Sequence, residues 1–142
     1  MIKRFYISSL FLILFFVSFS QDNDEQRIRT LLAQQTAAWN KGNLKQFMNG
    51  YWKSDSLMFI GKSGITYGWQ NTLDNYKKNY KDTVSMGKLK FDLKEFKKID
   101  NNNYFVVGGW QLIRTVGNLN GIFSLLFRKI KNSWVIIADH SS

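Results

Sequence analysis

The sequence contains no cysteine, no proline and a single histidine, and only 10 of its 142 residues are acidic. Without cysteine, disulfide bonds, thiolate chemistry and cysteine-ligated metal sites are excluded, so the fold depends on its core. Hydrophobic residues make up 44% of the chain and aromatic residues 16%. We therefore expect one domain with a core of adequate size, and part of the aromatic set is expected to line a cavity.

Motifs that carry well-defined chemistry are also missing. The chain has no Gly-x-Ser-x-Gly nucleophile motif, no phosphate-binding loop and no zinc motif. One histidine with scattered acids does not supply the three or four ligands that zinc requires. We expect neither a metal site nor a cofactor.

Residues 1–20 have the three-part pattern of a secretory signal peptide. Lys3 and Arg4 precede the almost wholly apolar stretch Phe5–Phe19, and Ser18 and Ser20 occupy the positions that a signal peptidase reads. The alternative is a membrane anchor, but fifteen apolar residues fall short of the roughly 20 needed to span a bilayer. We predict cleavage, export to the periplasm or the medium, and a mature domain over 21–142 without a stable membrane anchor. The Lys- and Asn-rich composition is typical of a bacterial protein.

The charge balance is strongly basic. The whole chain carries a net charge of +10, and loss of Lys3 and Arg4 with the leader leaves 18 basic and 10 acidic residues, a charge of +8. The lysines are interspersed with apolar residues, which favours a solvated face over a nucleic-acid site. We expect no nucleic-acid partner; weak attraction to anionic headgroups is the alternative.

Apolar residues spaced by three or four positions predict three helices. The first follows the acidic stretch Asp22–Glu25 and ends at Gly42. Its apolar face contains Ile28, Leu31, Leu32, Gln35 and Trp39. Asn43 opens a short second helix over Leu44–Met48, and the spacing of aromatic residues predicts a third over 69–81.

Alternation of apolar and polar residues predicts the strands. They are expected over Ser56–Gly61, Ile65–Tyr67, Lys88–Lys94, Tyr104–Arg114, Ile122–Ile130 and Trp134–His140. Gly108-Gly109 is a candidate bulge or bend. Simple alternation in the last strand places Ala138 and His140 with Trp134 on one face, and Asp139 on the other.

The predicted fold class is α+β. Three N-terminal helices are expected to pack on a strongly curved antiparallel sheet, giving a cone-shaped single domain with a pocket between the two layers.

Several stretches resemble a bacterial exported family of unknown function within the nuclear transport factor 2-like (SnoaL-like) superfamily, which has the cystatin-like cone fold. They are Ala38–Asn43, Gly50–Asp55, Tyr67–Gln70, Met86–Phe91, Gly121–Lys129 and Trp134–Ser142. The resemblance covers essentially residues 24–142 and implies the fold. That superfamily includes ketosteroid isomerases, limonene epoxide hydrolase, polyketide cyclases and domains that only bind or assemble, so it does not imply a reaction.

Candidate ligand-binding residues are the aromatic and amide side chains that exceed what a small core needs. Tyrosine and tryptophan combine an apolar body with a polar group, as ligand pockets require. The candidates are Gln35, Trp39, Tyr51, Trp52, Phe59, Tyr76, Trp110 and His140. Each of the aromatic residues has core packing as its alternative, and Gln35 is equally compatible with a buried structural hydrogen bond.

Candidate catalytic residues are Asp55, Asp139 and His140. A carboxyl beside an apolar cavity has a raised pKa and can act as a base, and histidine titrates near neutral pH. In the ketosteroid isomerases that the resemblance includes, the catalytic acids lie on strands of the sheet and in the region after the first helices. Asp55 is the only acid near that early region of this sequence, so no isomerase site can be assigned to its residues.

Three functions remain open. The first is binding of a small apolar or amphipathic molecule by a homodimer that pairs through the open sheet face. The second is a cofactor-free isomerase, hydratase or cyclase that uses Asp55 or Asp139 with His140. The third is a protein-assembly domain with a filled interior and no ligand.

Overall fold

The structure is a computed structural model that describes residues 23–142, so the predicted signal peptide lies outside the described residues and stays a prediction. The helices are α1 (Asn23–Asn40), α2 (Leu44–Phe47), α3 (Trp69–Asn79) and α4 (Thr83–Met86), with a 3₁₀ turn at Met48–Gly50. The strands are β1 (Met58–Gly61), β2 (Gly64–Tyr67), β3 (Lys88–Lys98), β4 (Asn103–Ile113), β5 (Leu119–Ile130) and β6 (Ser133–Ser141). Within residues 23–142, none of the helices is long and apolar enough to cross a membrane.

The strands form one six-stranded sheet in the order β2-β1-β6-β5-β4-β3. The predicted α+β class is confirmed, with two corrections. The sheet is mixed rather than antiparallel, because β1 pairs parallel to β6. A fourth helix, α4, was missed because it has only four residues, and local capping of its first turn by Asp82 and Ser85 sustains it.

Helix α1 forms where its apolar spacing predicts it and buries that face against the sheet. Ile28, Leu32, Gln35 and Trp39 are all buried. The chain turns after α1 at Gly42, whose φ of +76° is the left-handed conformation that glycine adopts without strain. The side chain of Asn43 then accepts a hydrogen bond from the backbone N–H of Gln46, which caps α2 as predicted.

Two β-bulges interrupt the long strands. In β3 the pairing with β4 shifts between Leu93 and Glu95, which leaves Lys94 as the extra residue. In β6 the pairing with β5 shifts so that Ala138 faces Leu126 and Ile136 faces Phe127, which leaves Ile137 as the extra residue. A bulge bends its strand and increases the local twist, so the two together curve the sheet.

The bulge predicted at Gly108-Gly109 lies beside Gly108, but its extra residue, Lys94, is on β3; with β5 both glycines pair in regular register. Gly108 has a different role. A Cβ atom at this position would lie 2.5 Å from Cζ of Phe123 and 2.6 Å from the backbone oxygen of Asp92. Glycine is therefore needed where the Phe123 ring crosses β4 on the concave face.

The bulge in β6 also overturns the predicted faces of that strand. Because Ile137 is inserted, the alternation changes phase, and Asp139 lies on the same buried face as Trp134 and Ile136. His140 is exposed on the outer face. The inward side chains of the sheet and the apolar face of α1 form the core, whose fully buried members include Ile28, Leu32, Val106, Phe127 and Ile136.

We expect Gly108→Ala to destabilise the protein by about 1–3 kcal/mol, because the added methyl group overpacks Phe123 against rigid backbone. Gly109→Ala is the matched control, since its nearest new contact would be 3.6 Å, an ordinary van der Waals distance. Urea denaturation of both variants measures the difference. Equal stabilities of the two variants would contradict the close approach at Gly108.

Candidate functional site

A cavity of about 500 Å³ lies between the helices and the concave face of the sheet. Helices α1 and α3 supply one side, and strands β3, β4 and β5 supply the other. Ligand pockets in proteins typically fall between about 300 and 1,000 Å³, so the cavity has the size of a small-molecule site.

The helical wall is a continuous set of aromatic rings. Trp39 of α1 makes edge contacts with Phe47 at 5.2 Å, Tyr76 at 5.8 Å and Tyr80 at 5.0 Å between ring centroids. Tyr76 also contacts Phe59 of β1 at 5.7 Å. Edge-to-face pairs of this kind are favourable beyond the area they bury, so the wall is held in place before any ligand enters.

The sheet wall is formed by inward side chains of alternating strand positions. Phe91 of β3 meets Phe123 of β5 edge to face at 5.3 Å, across Gly108. Trp110 and Leu112 of β4 continue this wall. The indole Nε1 of Trp110 is the one buried side-chain nitrogen or oxygen among residues 23–142 that has no hydrogen-bond partner.

The mouth of the cavity is polar. The exposed members of its lining come from the β1–β2 turn, from α3 and from the start of β5. They include Lys62, Ser63, Asn75, Asn79 and Asn120. The site is therefore apolar along its walls and hydrophilic where it opens to solvent.

A hydrogen-bonded group of Tyr51, Asp139 and Ser141 adjoins the cavity. The hydroxyl of Tyr51 donates to Oδ2 of Asp139 at 2.7 Å, and Oγ of Ser141 donates to Oδ1 at 2.7 Å. Tyr51, Tyr76 and Ser141 line the cavity, whereas Asp139 lies behind them and is only 3% exposed.

Burial dominates the acid–base properties of this group. It raises the pKa of Asp139 to about 6, although the hydrogen bonds from Tyr51 and Ser141 and the nearby His140 each favour the ionised form. Burial, reinforced by the negative charge of Asp139, raises the pKa of both Tyr51 and Tyr76. The two tyrosines therefore stay neutral over the physiological range, and Asp139 is the group that titrates.

Six of the eight predicted ligand-binding residues line the cavity: Gln35, Trp39, Tyr51, Phe59, Tyr76 and Trp110. Trp52 and His140 do not. Gln35 makes the structural hydrogen bond, since its Nε2 donates to the backbone oxygen of Phe47 at 3.1 Å; its side chain also lines the cavity, and its contact with a ligand stays a prediction.

The structure does not bring the predicted catalytic residues together. Asp55 is exposed in the turn before β1, His140 is exposed on the outer face of β6, and only Asp139 approaches the cavity. Residues 23–142 contain no group of three or more His, Asp or Glu side chains able to hold a metal ion.

Sequence reasoning missed Ser141, Phe91, Phe123 and Tyr80 as cavity residues. Phe91 and Tyr80 were visible as inward positions of a predicted strand and helix, but their periodicity does not separate a cavity wall from a core. Ser141 was missed because only the bulge at Ile137 brings it to the concave face.

The raised pKa of Asp139 predicts a pH-dependent stability. The folded protein holds this proton up to about pH 6, whereas the unfolded chain releases it near pH 3.8. Stability through this group is therefore present at low pH and falls as pH rises through that window, by about 3 kcal/mol at 1.36 kcal/mol per pKa unit.

We expect Asp139→Asn to be more stable relative to the wild type at pH 7.5 than at pH 4, because the amide is never ionised. Urea denaturation of both proteins across this pH range measures the difference in stability. Other carboxyls, such as Asp82, whose pKa is lowered by its capping hydrogen bonds, contribute equally to both proteins and so cancel in the comparison. A difference that does not change with pH would contradict the burial of an ionisable Asp139.

Comparison with solved structures places this fold among known proteins. A nuclear transport factor 2-like protein of unknown function from Shewanella oneidensis MR-1 is 45% identical, with a TM-score of 0.81 over 84% of this chain and 98% of that chain. A ketosteroid isomerase-like protein from Erwinia carotovora atroseptica SCRI1043 is 15% identical, with a TM-score of 0.67 over 86% of this chain and 97% of that chain.

A nuclear transport factor 2 superfamily protein from Salmonella enterica serovar Typhimurium LT2 is 18% identical, with a TM-score of 0.65 over 83% of this chain and 89% of that chain. The likeness to the Erwinia and Salmonella proteins shows the fold alone. No protein-family model matches the sequence, and no curated protein matches it. The identity with the Shewanella protein extends over most of both chains, and on this ground the chain belongs to the nuclear transport factor 2-like superfamily.

Proposed function

We propose that the protein binds a small, mainly apolar molecule with a polar end in the cavity between α1, α3 and the sheet. The observation that carries this proposal is the cavity itself: about 500 Å³ of space with aromatic walls and the hydroxyl groups of Tyr51, Tyr76 and Ser141 in its lining. A domain whose interior served only as a core would fill this space, because protein interiors pack with few voids larger than a water molecule.

The position of Asp139 supports a ligand site. A carboxyl group buried among aromatic side chains costs stability at neutral pH, and an apolar residue in its place would avoid that cost. Groups with strongly perturbed pKa values concentrate at functional sites. Asp139 is such a group, and two of its hydrogen-bond donors line the cavity.

Binding fits the geometry better than acid–base catalysis does. A general acid or base must reach the proton it transfers, within about 3 Å or through one water. Asp55 and His140 lie outside the cavity, and Tyr51 and Ser141 separate Asp139 from it. The cavity lining consists of hydroxyls, amides, aromatic rings and aliphatic side chains, with Lys62 at the mouth as its one charged member.

Native mass spectrometry of the protein, purified from a bacterial host without detergent, tests this function. We expect a small molecule to be retained at one per subunit, and we expect N-phenyl-1-naphthylamine to compete with it or to bind the empty cavity with increased fluorescence. A protein that retains nothing and does not bind the probe would contradict the proposal.

A matched pair of variants localises the binding. Leu112 lines the cavity and is 2% exposed, whereas the adjacent Ile113 points outward and is 42% exposed. We expect Leu112→Trp to fill the cavity and weaken probe binding by at least about tenfold, equivalent to 1.4 kcal/mol. Ile113→Trp should bind as the wild type does. Equal binding by both variants would place the probe elsewhere.

We also propose that the outer sheet face pairs with a second copy of the chain. Phe105 and Val107 of β4 and Ile122 and Leu126 of β5 form an apolar patch on the convex side, opposite the buried face of the same strands. These side chains carry no charge, whereas the flanking strand β3 carries both lysines and acids. An uncharged patch can meet its own copy about a twofold axis without opposing like charges, and the charged strand then forms a polar rim.

Analytical ultracentrifugation at micromolar concentration tests the dimer. We expect Ile122→Lys to weaken association by roughly tenfold or more, because it places two lysines near each other in an apolar interface. Ile65→Lys is the control, since Ile65 is similarly exposed but lies on β2, away from the patch. A wild type that sediments as a monomer would contradict the proposed pairing.

A further inference from the structure

The charge at the mouth of the cavity is positive. Lys62, in the turn between β1 and β2, is the one charged side chain of the cavity lining, which contains neither Asp nor Glu. Lys62 is exposed, and within residues 23–142 it has no ion-pair partner. Its ammonium group is therefore free to pair with an anion that reaches the mouth.

A groove that shares Tyr80 with the cavity adds to this positive charge. Its charged members are three lysines and one aspartate: Lys45, Lys77, Lys81 and Asp82. The aspartate caps α4, since its Oδ1 accepts from the backbone N–H of Ser85 at 2.7 Å. The lysines come from α2 and from the C-terminal part of α3 and the residues after it, so cations surround this side of the cavity and attract anionic molecules towards it.

The neutral polar groups near the mouth include hydrogen-bond donors. The amides of Asn79 and Asn120 and the hydroxyl of Ser63 are exposed members of the lining. Trp110 pairs with Gly121, the neighbour of Asn120, and its Nε1 is a buried donor without an acceptor. A ligand oxygen could satisfy such a donor, whereas a ligand N–H could not.

The carboxyl of Asp139 determines which way round an anionic ligand is favoured. Asp139 lies directly behind Tyr51 and Ser141, and in its ionised state it repels a second negative charge. In the sheet Asp139 pairs with Phe59, and Lys62 follows Phe59 by three residues, up to roughly 10 Å farther along the chain. An anionic group is therefore favoured beside Lys62, with the apolar part of the molecule between the aromatic walls.

We propose that the ligand is an anionic amphiphile, whose apolar body occupies the cavity and whose single anionic group, such as a carboxylate, pairs with Lys62 at the mouth. This inference rests on the proposed binding function and names the chemical class of its ligand. Lys62 is the residue that selects the charge of the ligand, while the aromatic walls accept any apolar body of suitable size.

Three probes with one apolar body and different charges test the inference: 2-naphthylacetate, 2-naphthylacetamide and 2-naphthylethylammonium. Isothermal titration calorimetry measures their affinities at about pH 7.5, where the carboxylate and the amine are both ionised. We expect the carboxylate to bind about fivefold more tightly than the amide at low salt, equivalent to about 1 kcal/mol for an exposed ion pair. The ammonium compound should bind most weakly.

Salt dependence and variants show whether Lys62 causes this preference. We expect the preference to fall to about twofold or less in roughly 0.3 M sodium chloride, because salt screens exposed charges. Lys62→Gln should reduce it equally at low salt without changing the affinity of the amide, and Lys62→Arg should preserve it. Lys97→Gln is the matched control, because it removes the same charge from an exposed lysine of β3 that does not line the cavity.

The failure of this inference differs from the failure of the binding function. If the probes bind but the carboxylate has no advantage over the amide, or if Lys62→Gln keeps that advantage, the anionic ligand class is overturned and the cavity remains a binding site. The same holds if Lys97→Gln removes the advantage as fully as Lys62→Gln does. If none of the three probes binds, the proposed binding function is overturned together with the inference.

Discussion

The position of one extra residue in β6 governs the interior of this protein. Ile137 has no partner on β5, and its insertion changes the phase of the strand between Ile136 and Ala138. Before the bulge, Trp134 and Ile136 point into the core; after it, Asp139 and Ser141 point the same way, so that Ser141 lines the cavity and Asp139 lies directly behind it. Without the bulge, the outer-face residue His140 would take the place of the carboxyl, and the polar end of the cavity would not exist.

The carboxyl that the bulge brings inside has consequences for the whole site. Its charge is unfavourable among aromatic rings, and the hydroxyls of Tyr51 and Ser141 reduce that cost by hydrogen bonding to both oxygens. Burial nevertheless raises the pKa of Asp139 to about 6, so the group changes charge near that pH. The polar end of the cavity is thus sensitive to pH, while its aromatic walls are not.

The aromatic walls depend on close contacts between the two layers. Trp39 contacts Phe47, Tyr76 and Tyr80, and its indole Nε1 donates to the backbone oxygen of Met86 at 3.2 Å, which joins α1 to α4. On the opposite wall, the absence of a side chain at Gly108 lets the Phe123 ring lie across β4. These contacts hold the cavity open, because each ring is supported by neighbours rather than by a ligand.

Local sequence patterns determined the elements of this fold. The spacing of apolar residues in α1 and α3, the cap at Asn43 and the glycine at position 42 act within one or two helical turns, so they can be read from the chain. The same holds for the alternation in β3 to β5. These patterns, together with the family resemblance, were sufficient to predict the α+β class and to identify six of the residues that line the cavity.

Tertiary structure alone decided the rest, because it depends on pairing between distant segments. Pairing between distant strands determines two features of β6: its parallel pairing with β1 and its bulge at Ile137. No local pattern in β6 predicts either feature. The placement of Asp139 inside and His140 outside is a consequence of that fit. Local patterns in the sequence specify a cone-shaped domain rich in aromatic residues, whereas the register of β6 places Asp139 beside the cavity and His140 on the outer face.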